Sequence, residues 1–407
     1  MSKLYKKIII FLFYLIMTLP LLKPNISSIA VIIFTIFSIP AIYKSKFKIK
    51  DLRKYLFLTI PFFLFLFHEV FSKSFNEKTV LLGVPFLVFP LIIFFKPYFI
   101  TIKNILKSLV VFQISTLLQC IIYLVVFLKS NHIIRLLDIS NENIPFFREF
   151  VTANYLKEMH PTYFSSFLLF SITISLFNYS KNRVLHTINF SLSIFFILLF
   201  SSRVIIIIML LTLFSFIILC LNKRIEKKIY KTLIFVVISL SFLYVFKLDV
   251  VNKRFIEIKN HINKPIVGNY YNSTNTRVAI YKCNVFLMEK LPFWGYGDSL
   301  QKELNDCYEE TNDSNFYKLN IYNTHNYYFH MLLYGGWIYL LIFFIFLFYL
   351  FIKIKSTLLY LFIFIQFILV NLTENYLSRH YGVFLFCYFT AIFIFINEQR
   401  NTRIKQI

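Results

Sequence analysis

The chain has 407 residues, of which 58% are hydrophobic and 20% aromatic, with 53 Phe and 27 Tyr. Only 15% are charged, against about 25% in a typical soluble domain. This excludes an ordinary soluble enzyme, a disordered chain and a disulfide-rich secreted module, and leaves a polytopic membrane protein. In so apolar a chain, the formal charge of +24 reads as membrane topology and not as a nucleic-acid surface.

In lipid, each backbone polar group must be satisfied within its own segment, so the apolar runs read as helices. Each is long enough to cross about 30 Å of hydrocarbon. In chain order they lie near residues 8–22, 26–43, 55–71, 79–95, 108–128, 161–178, 186–201, 204–221, 231–247, 327–352, 357–372 and 381–397. Lys3, Lys6 and Lys7 precede the first run as in a signal peptide. The segment Pro20-Leu-Leu-Lys-Pro24 offers no small-residue cleavage site, so the run reads as a retained helix. Residues 186–221 would run about 54 Å as one helix, too long for one crossing. Two spans turning at Ser201-Ser202-Arg203 are expected instead.

The expected fold class is all-α, with about 12 transmembrane helices and one large periplasmic loop. Helices one to nine occupy 1–247, and the loop with an interfacial helix occupies 248–326. Helices ten to twelve and a cytoplasmic tail occupy 327–407. With both termini cytoplasmic, the inner segments hold 24 of the 43 Lys and Arg. Their acids are only Asp51, Glu226 and Glu398. That bias follows the positive-inside rule.

Ionisable residues near a bilayer are costly and mark function. Here none falls at mid-span; His68, Glu69, His160, Arg203, Arg277, His325, Glu374 and Arg379 gather at the outer ends. A proton or ion pathway needs such groups near the bilayer centre. This set reads as one site at the outer surface. Arg203 is either a snorkelling interfacial residue or a guanidinium that grips phosphate, whose oxygens its planar fork matches. Arg277 precedes helical apolar spacing over 278–288. There a phosphate is favoured by the helix N-terminus, and an exposed loop arginine is the alternative. His325 is an interfacial histidine or a base that takes a proton near neutral pH. His160 stands before Pro161 as a cap or a headgroup contact. Glu374 orients a histidine, pairs with Arg203, or simply pairs with Arg379.

Cys120, Cys220 and Cys387 fall in spans and read as packing residues. Cys283 and Cys307 share the external loop, where a disulfide is permitted and two free thiols are the alternative. No metal signature, glycine-rich phosphate loop or dinucleotide fingerprint occurs, so neither a metal nor another cofactor is expected.

Three stretches resemble the O-antigen ligase and polymerase superfamily, bacterial inner-membrane glycosyltransferases that use undecaprenyl-diphosphate-linked glycans. They are Leu199-Phe-Ser-Ser-Arg203, the Arg277 stretch running to Pro292-Phe-Trp-Gly-Tyr-Gly297, and Asn323-Thr-His-Asn-Tyr-Tyr-Phe-His-Met-Leu-Leu-Tyr-Gly-Gly336. His160-Pro-Thr-Tyr163 and Leu372-Thr-Glu-Asn-Tyr-Leu-Ser-Arg-His-Tyr-Gly382 are similar to branches of the family. The likeness covers about 155–395, and Val204 stands where the family often has Gly.

The resemblance implies that Arg203 and Arg277 bind the donor diphosphate and that His325 activates the acceptor. His160, Glu374, Asn326 and Arg379 would support them. It also implies a metal-independent reaction with a lipid A–core or glycan acceptor, membrane lipids around the protein, and no nucleic acid. Tyr270, Tyr271, Tyr296, Tyr322, Tyr327 and Tyr328 are available to stack on sugars. Within the superfamily the residues favour a ligase by resemblance alone. A polysaccharide polymerase and a protein O-oligosaccharyltransferase stay open. A transporter or lipid flippase also suits twelve spans, but the sequence offers no paired broken helices in corresponding halves and no mid-membrane charge.

Overall fold

The computed structural model describes residues 3–43, 55–71, 75–94, 99–136, 138–139, 145–153, 159–224, 249–262, 273–312 and 321–404. The span expected at 231–247, and Tyr270 and Tyr271, lie outside the described residues. Among the described residues the protein is all-helical, with one isolated bridge between Ile139 and Pro145 and no strand.

In chain order the helices are α1 (Lys3–Leu15), α2 (Pro24–Tyr43), α3 (Ile60–Phe71), α4 (Glu77–Gly83), α5 (Pro85–Phe94) and α6 (Ile102–Ser130). There follow α7 (Phe146–Ala153), α8 (Pro161–Asn178), α9 (Arg183–Phe200), α10 (Arg203–Arg224) and α11 (Asp249–His261). The last five are α12 (Ser273–Glu289), α13 (Leu300–Thr311), α14 (Tyr327–Ile354), α15 (Leu358–Asn371) and α16 (His380–Ile404). Seven helices among the described residues are long and apolar enough to cross a membrane: α1 with its 3-10 extension to Leu21, α2, α6, α9, α10, α14 and α16. α3 and α15 are shorter apolar helices. The run expected at 79–95 is divided into α4 and α5, because Pro85 has no N–H with which to continue a helix.

The chain forms two units, residues 1–115 with 265–407, and residues 116–264. The boundary falls within α6. In the first unit α16 is central, with 94% of its residues between His380 and Asn397 buried. A helix apolar on every side has this fate. Its rings pack edge-on: Tyr388 meets Phe89 at 5.8 Å, and Phe386 meets Phe367 at 5.2 Å. Aromatic pairs prefer such offset and perpendicular arrangements.

In the second unit α8 is the buried helix, although it carries four Ser and two Thr. Its hydroxyls are satisfied inside the unit. Ser171 donates to Asn189 Oδ1 at 2.7 Å, and Ser175 donates to the same oxygen at 3.4 Å. The short turn Tyr179–Lys181 joins α8 to α9, and Asn182 caps α9 by accepting from Leu185 N at 3.1 Å. α9 and α10 are separate helices. Ser201, with φ 45°, closes α9 with bonds to the carbonyls of Ile197 and Leu198. Ser202 then accepts from Ile206 N to open α10.

α14 was expected as one unbroken span. It is interrupted at Gly336, whose φ of 79° and ψ of −177° leave the helical region. Segment 292–297 packs into the break, and Tyr296 N donates to Leu333 O at 2.7 Å. A Cβ on Gly336 would lie 2.3 Å from Phe293 O, and one on Gly295 would lie 2.3 Å from Tyr334 O. Only glycine allows this backbone approach at positive φ. Gly336→Ala should therefore destabilise the protein by about 1–3 kcal/mol. The readout is a lower melting temperature in detergent, and an unchanged one would contradict this packing.

Candidate active site

α12 and α13 form a pair joined by a disulfide between Cys283 and Cys307. α12 starts at Ser273, earlier than its apolar spacing suggests, so Arg277 lies a full turn inside the helix. Arg277, Tyr281 and Asn284 follow at steps of four and three and so share one face. That face meets two short segments, 323–326 before α14 and 372–375 after α15.

Three bonds fix the juncture. Asn284 Nδ2 donates to Thr324 O at 2.9 Å, Asn326 Nδ2 donates to Leu372 O at 2.9 Å, and Tyr281 Oη donates to Leu372 O at 3.2 Å. Thr324 Oγ1 also bonds the Asn375 amide. Asn326 caps α14 by accepting from the N–H groups of Tyr328 and Phe329. Asn is among the residues preferred at that position, since its side chain satisfies orphan donors.

At the centre lies Glu374, whose side chain is 4% exposed. Its two oxygens serve two bases. Arg277 Nη2 lies 2.6 Å from Oε1, and His325 Nδ1 lies 3.4 Å from Oε2. The first contact is a charge-assisted hydrogen bond. The second is an ion-pair separation, too long for a full hydrogen bond, and Nδ1 has no hydrogen-bond partner. Catalytic contacts are often long in the free enzyme and tighten with substrate. Arg277 Nε is likewise buried without a partner. Burial raises the Tyr281 hydroxyl above its ordinary pKa; the Arg277 guanidinium opposes that shift and the Glu374 carboxylate adds to it. Tyr281 therefore stays a neutral donor.

His325 has φ 43°, a left-handed conformation uncommon outside glycine. Neighbours hold it there: Asn323 Oδ1 accepts from His325 N at 3.0 Å, and Tyr281 Oη reaches His325 O at 3.4 Å. Strain of this kind persists only where the surroundings over-determine it, and it clusters at functional sites. Beside the juncture a groove of about 690 Å³ runs between α14 and α15. Asn326, Tyr328, Phe344, Phe348, Phe364 and Leu372 are among its lining residues.

The remaining expected residues have other surroundings. In the second unit, Arg203 is the first residue of α10 and is 8% exposed. His160 caps α8, its Nδ1 accepting from Thr162 N at 3.3 Å, with Pro161 in the first turn. In the first unit, Arg379 follows the 3-10 turn Tyr376–Ser378 and its N–H donates to Tyr376 O. His68 and Glu69 hold segment 292–297 and α14. Glu69 accepts from Tyr334 Oη and from Asn76 N, and His68 Nε2 approaches Trp294 O at 3.4 Å. Of the tyrosines, Tyr327 is 1% exposed, while Tyr296 is committed to the carbonyls of Leu287 and Lys290. Tyr322 lies 6.0 Å from the His325 ring.

Residues 188–344 match the family model described as O-antigen ligase. That match supports the O-antigen ligase and polymerase superfamily for this stretch. It contains Arg203, Arg277 and His325, while Glu374 lies beyond it. The superfamily comprises glycosyltransferase-like enzymes, and several apolar helices make this chain a multi-pass membrane protein. No curated protein is matched by the chain.

Tyr281 and Asn284 were not among the expected site residues, although their spacing from Arg277 put them on its face. Replacing Glu374 should uncouple the two bases it joins. Glu374→Gln is expected to lower the transfer rate by about 100-fold while the protein still accumulates. Near-normal transfer by that variant would remove Glu374 from the site.

Proposed function

We propose that the protein is an O-antigen ligase-type glycosyltransferase. It moves a glycan from undecaprenyl diphosphate to an acceptor hydroxyl, on a lipid A–core sugar, at the periplasmic face of the inner membrane. The observation that carries this reading is the buried Glu374 carboxylate shared by Arg277 and His325. One arginine with an unused Nε and one histidine aligned by a carboxylate are what this transfer needs.

In the proposed reaction, Glu374 accepts a hydrogen bond from His325 Nδ1–H once substrate closes their contact, and so leaves Nε2 as the base. Nε2 removes the acceptor O–H proton. The oxygen attacks the anomeric carbon, a new glycosidic bond forms, and the bond from that carbon to the diphosphate oxygen breaks. The electron pair leaves with the diphosphate. Arg277 and Arg203 stabilise that negative charge, an effect strongest where water is excluded. Arginine suits the role because its fork matches phosphate oxygens and it stays charged. The mouth of the groove lies beside the catalytic pair in sequence: Asn326 follows His325, and Leu372 stands two residues before Glu374. An isoprenoid chain suits so apolar a lining. Residues 248–326 act as the periplasmic cover in this reading, with the termini cytoplasmic.

The test is a deletion strain, comparing its lipopolysaccharide bands with its lipid-linked glycans. Bare lipid A–core with long glycans retained on undecaprenyl diphosphate is expected, with rescue by the wild-type gene and not by His325→Ala. Core bearing a single repeat unit would make the protein a polymerase. An unchanged lipopolysaccharide pattern would contradict the ligase reading and direct the search to glycoproteins.

A further inference from the structure

Arg148 is the third residue of α7, a short helix in the second unit. Its guanidinium grips two places at once. Nη1 donates to Phe200 O at 2.7 Å, and Nη2 reaches Thr162 Oγ1 at 3.4 Å. Phe200 is the last residue of α9 and is fully buried. The final carbonyls of a helix lack partners within it and carry the negative end of its dipole. A cationic donor is well matched to that position.

The gripped carbonyl begins a tightly bent piece of chain. Ser201, next in sequence, is buried and left-handed at φ 45°. A serine there costs energy unless its surroundings hold it. Ser202 is 4% exposed and opens α10, and Arg203 is the first residue of that helix. Only two residues, Ser201 and Ser202, thus separate the carbonyl held by Arg148 from Arg203. The second prong ends on Thr162, in the first turn of α8, beside the cap His160. One side chain therefore ties the end of α9 to the start of α8 and sets the direction in which α10 begins.

We infer that Arg148 is a positioning residue for Arg203: by holding the Phe200 carbonyl it fixes the left-handed turn that presents the Arg203 guanidinium to the donor diphosphate. The inference rests on the reading of Arg203 as a diphosphate ligand. Arg148 acts through Arg203, because its Nη1 and Nη2 are directed to Phe200 O and Thr162 Oγ1 of the protein itself. Without it, Phe200 O becomes a buried acceptor lacking its strongest donor, and the turn is free to relax. A displacement of about 1 Å at a catalytic group costs up to roughly 100-fold in rate.

The experiment uses the full-length protein in proteoliposomes with a purified lipid-linked glycan. Arg148→Met, which fills space but donates nothing, should lower kcat by roughly 10- to 100-fold and leave KM for the acceptor unmoved. Arg148→Lys keeps one donor for the carbonyl and should recover most of that loss. In an Arg203→Lys background, Arg148→Met should add less than about threefold, because residues acting through one another are not additive. Wild-type kcat in Arg148→Met would overturn the inference. So would the full loss repeated in the Arg203→Lys background, which would make Arg148 an independent contact. If Arg148→Met fails to fold, Arg148→Lys decides alone: kcat close to wild type supports the carbonyl grip, and a loss greater than about tenfold overturns it. Wild-type activity in Arg203→Lys by itself would instead overturn the reading of Arg203, and the inference with it.

Discussion

The Glu374 carboxylate is almost wholly buried, and a buried carboxylate is tolerated only when it is paired. Arg277 and His325 supply the pairing from chain segments far apart in sequence, Arg277 and Glu374 being 97 positions apart. Several contacts within the first unit serve this meeting. The disulfide fixes α12 on α13, Asn284 and Tyr281 dock α12 on the segments around His325 and Glu374, and Asn326 caps α14 where His325 ends its turn. Removing the carboxylate would leave two basic groups facing each other without their shared acceptor.

The strained geometry depends on rigid support. His325 and Ser201 are the two non-glycine residues with positive φ among the described residues. One stands in the candidate site, and the other sits two residues before Arg203. Each is held by hydrogen bonds from outside its own helix, Tyr281 and Asn323 for His325, and Arg148 just before Ser201. The Gly336 break has a related role. It lets segment 292–297 seat against α14, where Tyr296 N bonds Leu333 O and His68 approaches Trp294 O.

The turn between α9 and α10 was legible in the sequence, because an apolar run of that length cannot be one crossing and polar Ser201-Ser202 marks the corner. Arg277 and His325 were legible as chemical types at the ends of apolar runs. Their common partner was not, since Glu374 had several basic candidates and only tertiary packing selects among them. The break in α14 was hidden because Gly335-Gly336 sits within continuous apolar sequence, and the segment that fills the break lies some 40 residues earlier. The Phe and Leu of α8 read as a span, and its Ser171 and Ser175 hydroxyls serve a buried polar contact with Asn189. Apolar periodicity cannot distinguish a helix facing lipid from one enclosed by protein.

The central claim assigns separate tasks to two residues joined by one carboxylate, and it is tested most directly by measuring donor binding and turnover on the same proteoliposomes. With purified undecaprenyl-diphosphate-linked glycan, His325→Ala should bind donor normally and transfer none of it, whereas Arg277→Ala should lose donor binding. Retained transfer by His325→Ala, or unchanged donor binding by Arg277→Ala, would contradict the account.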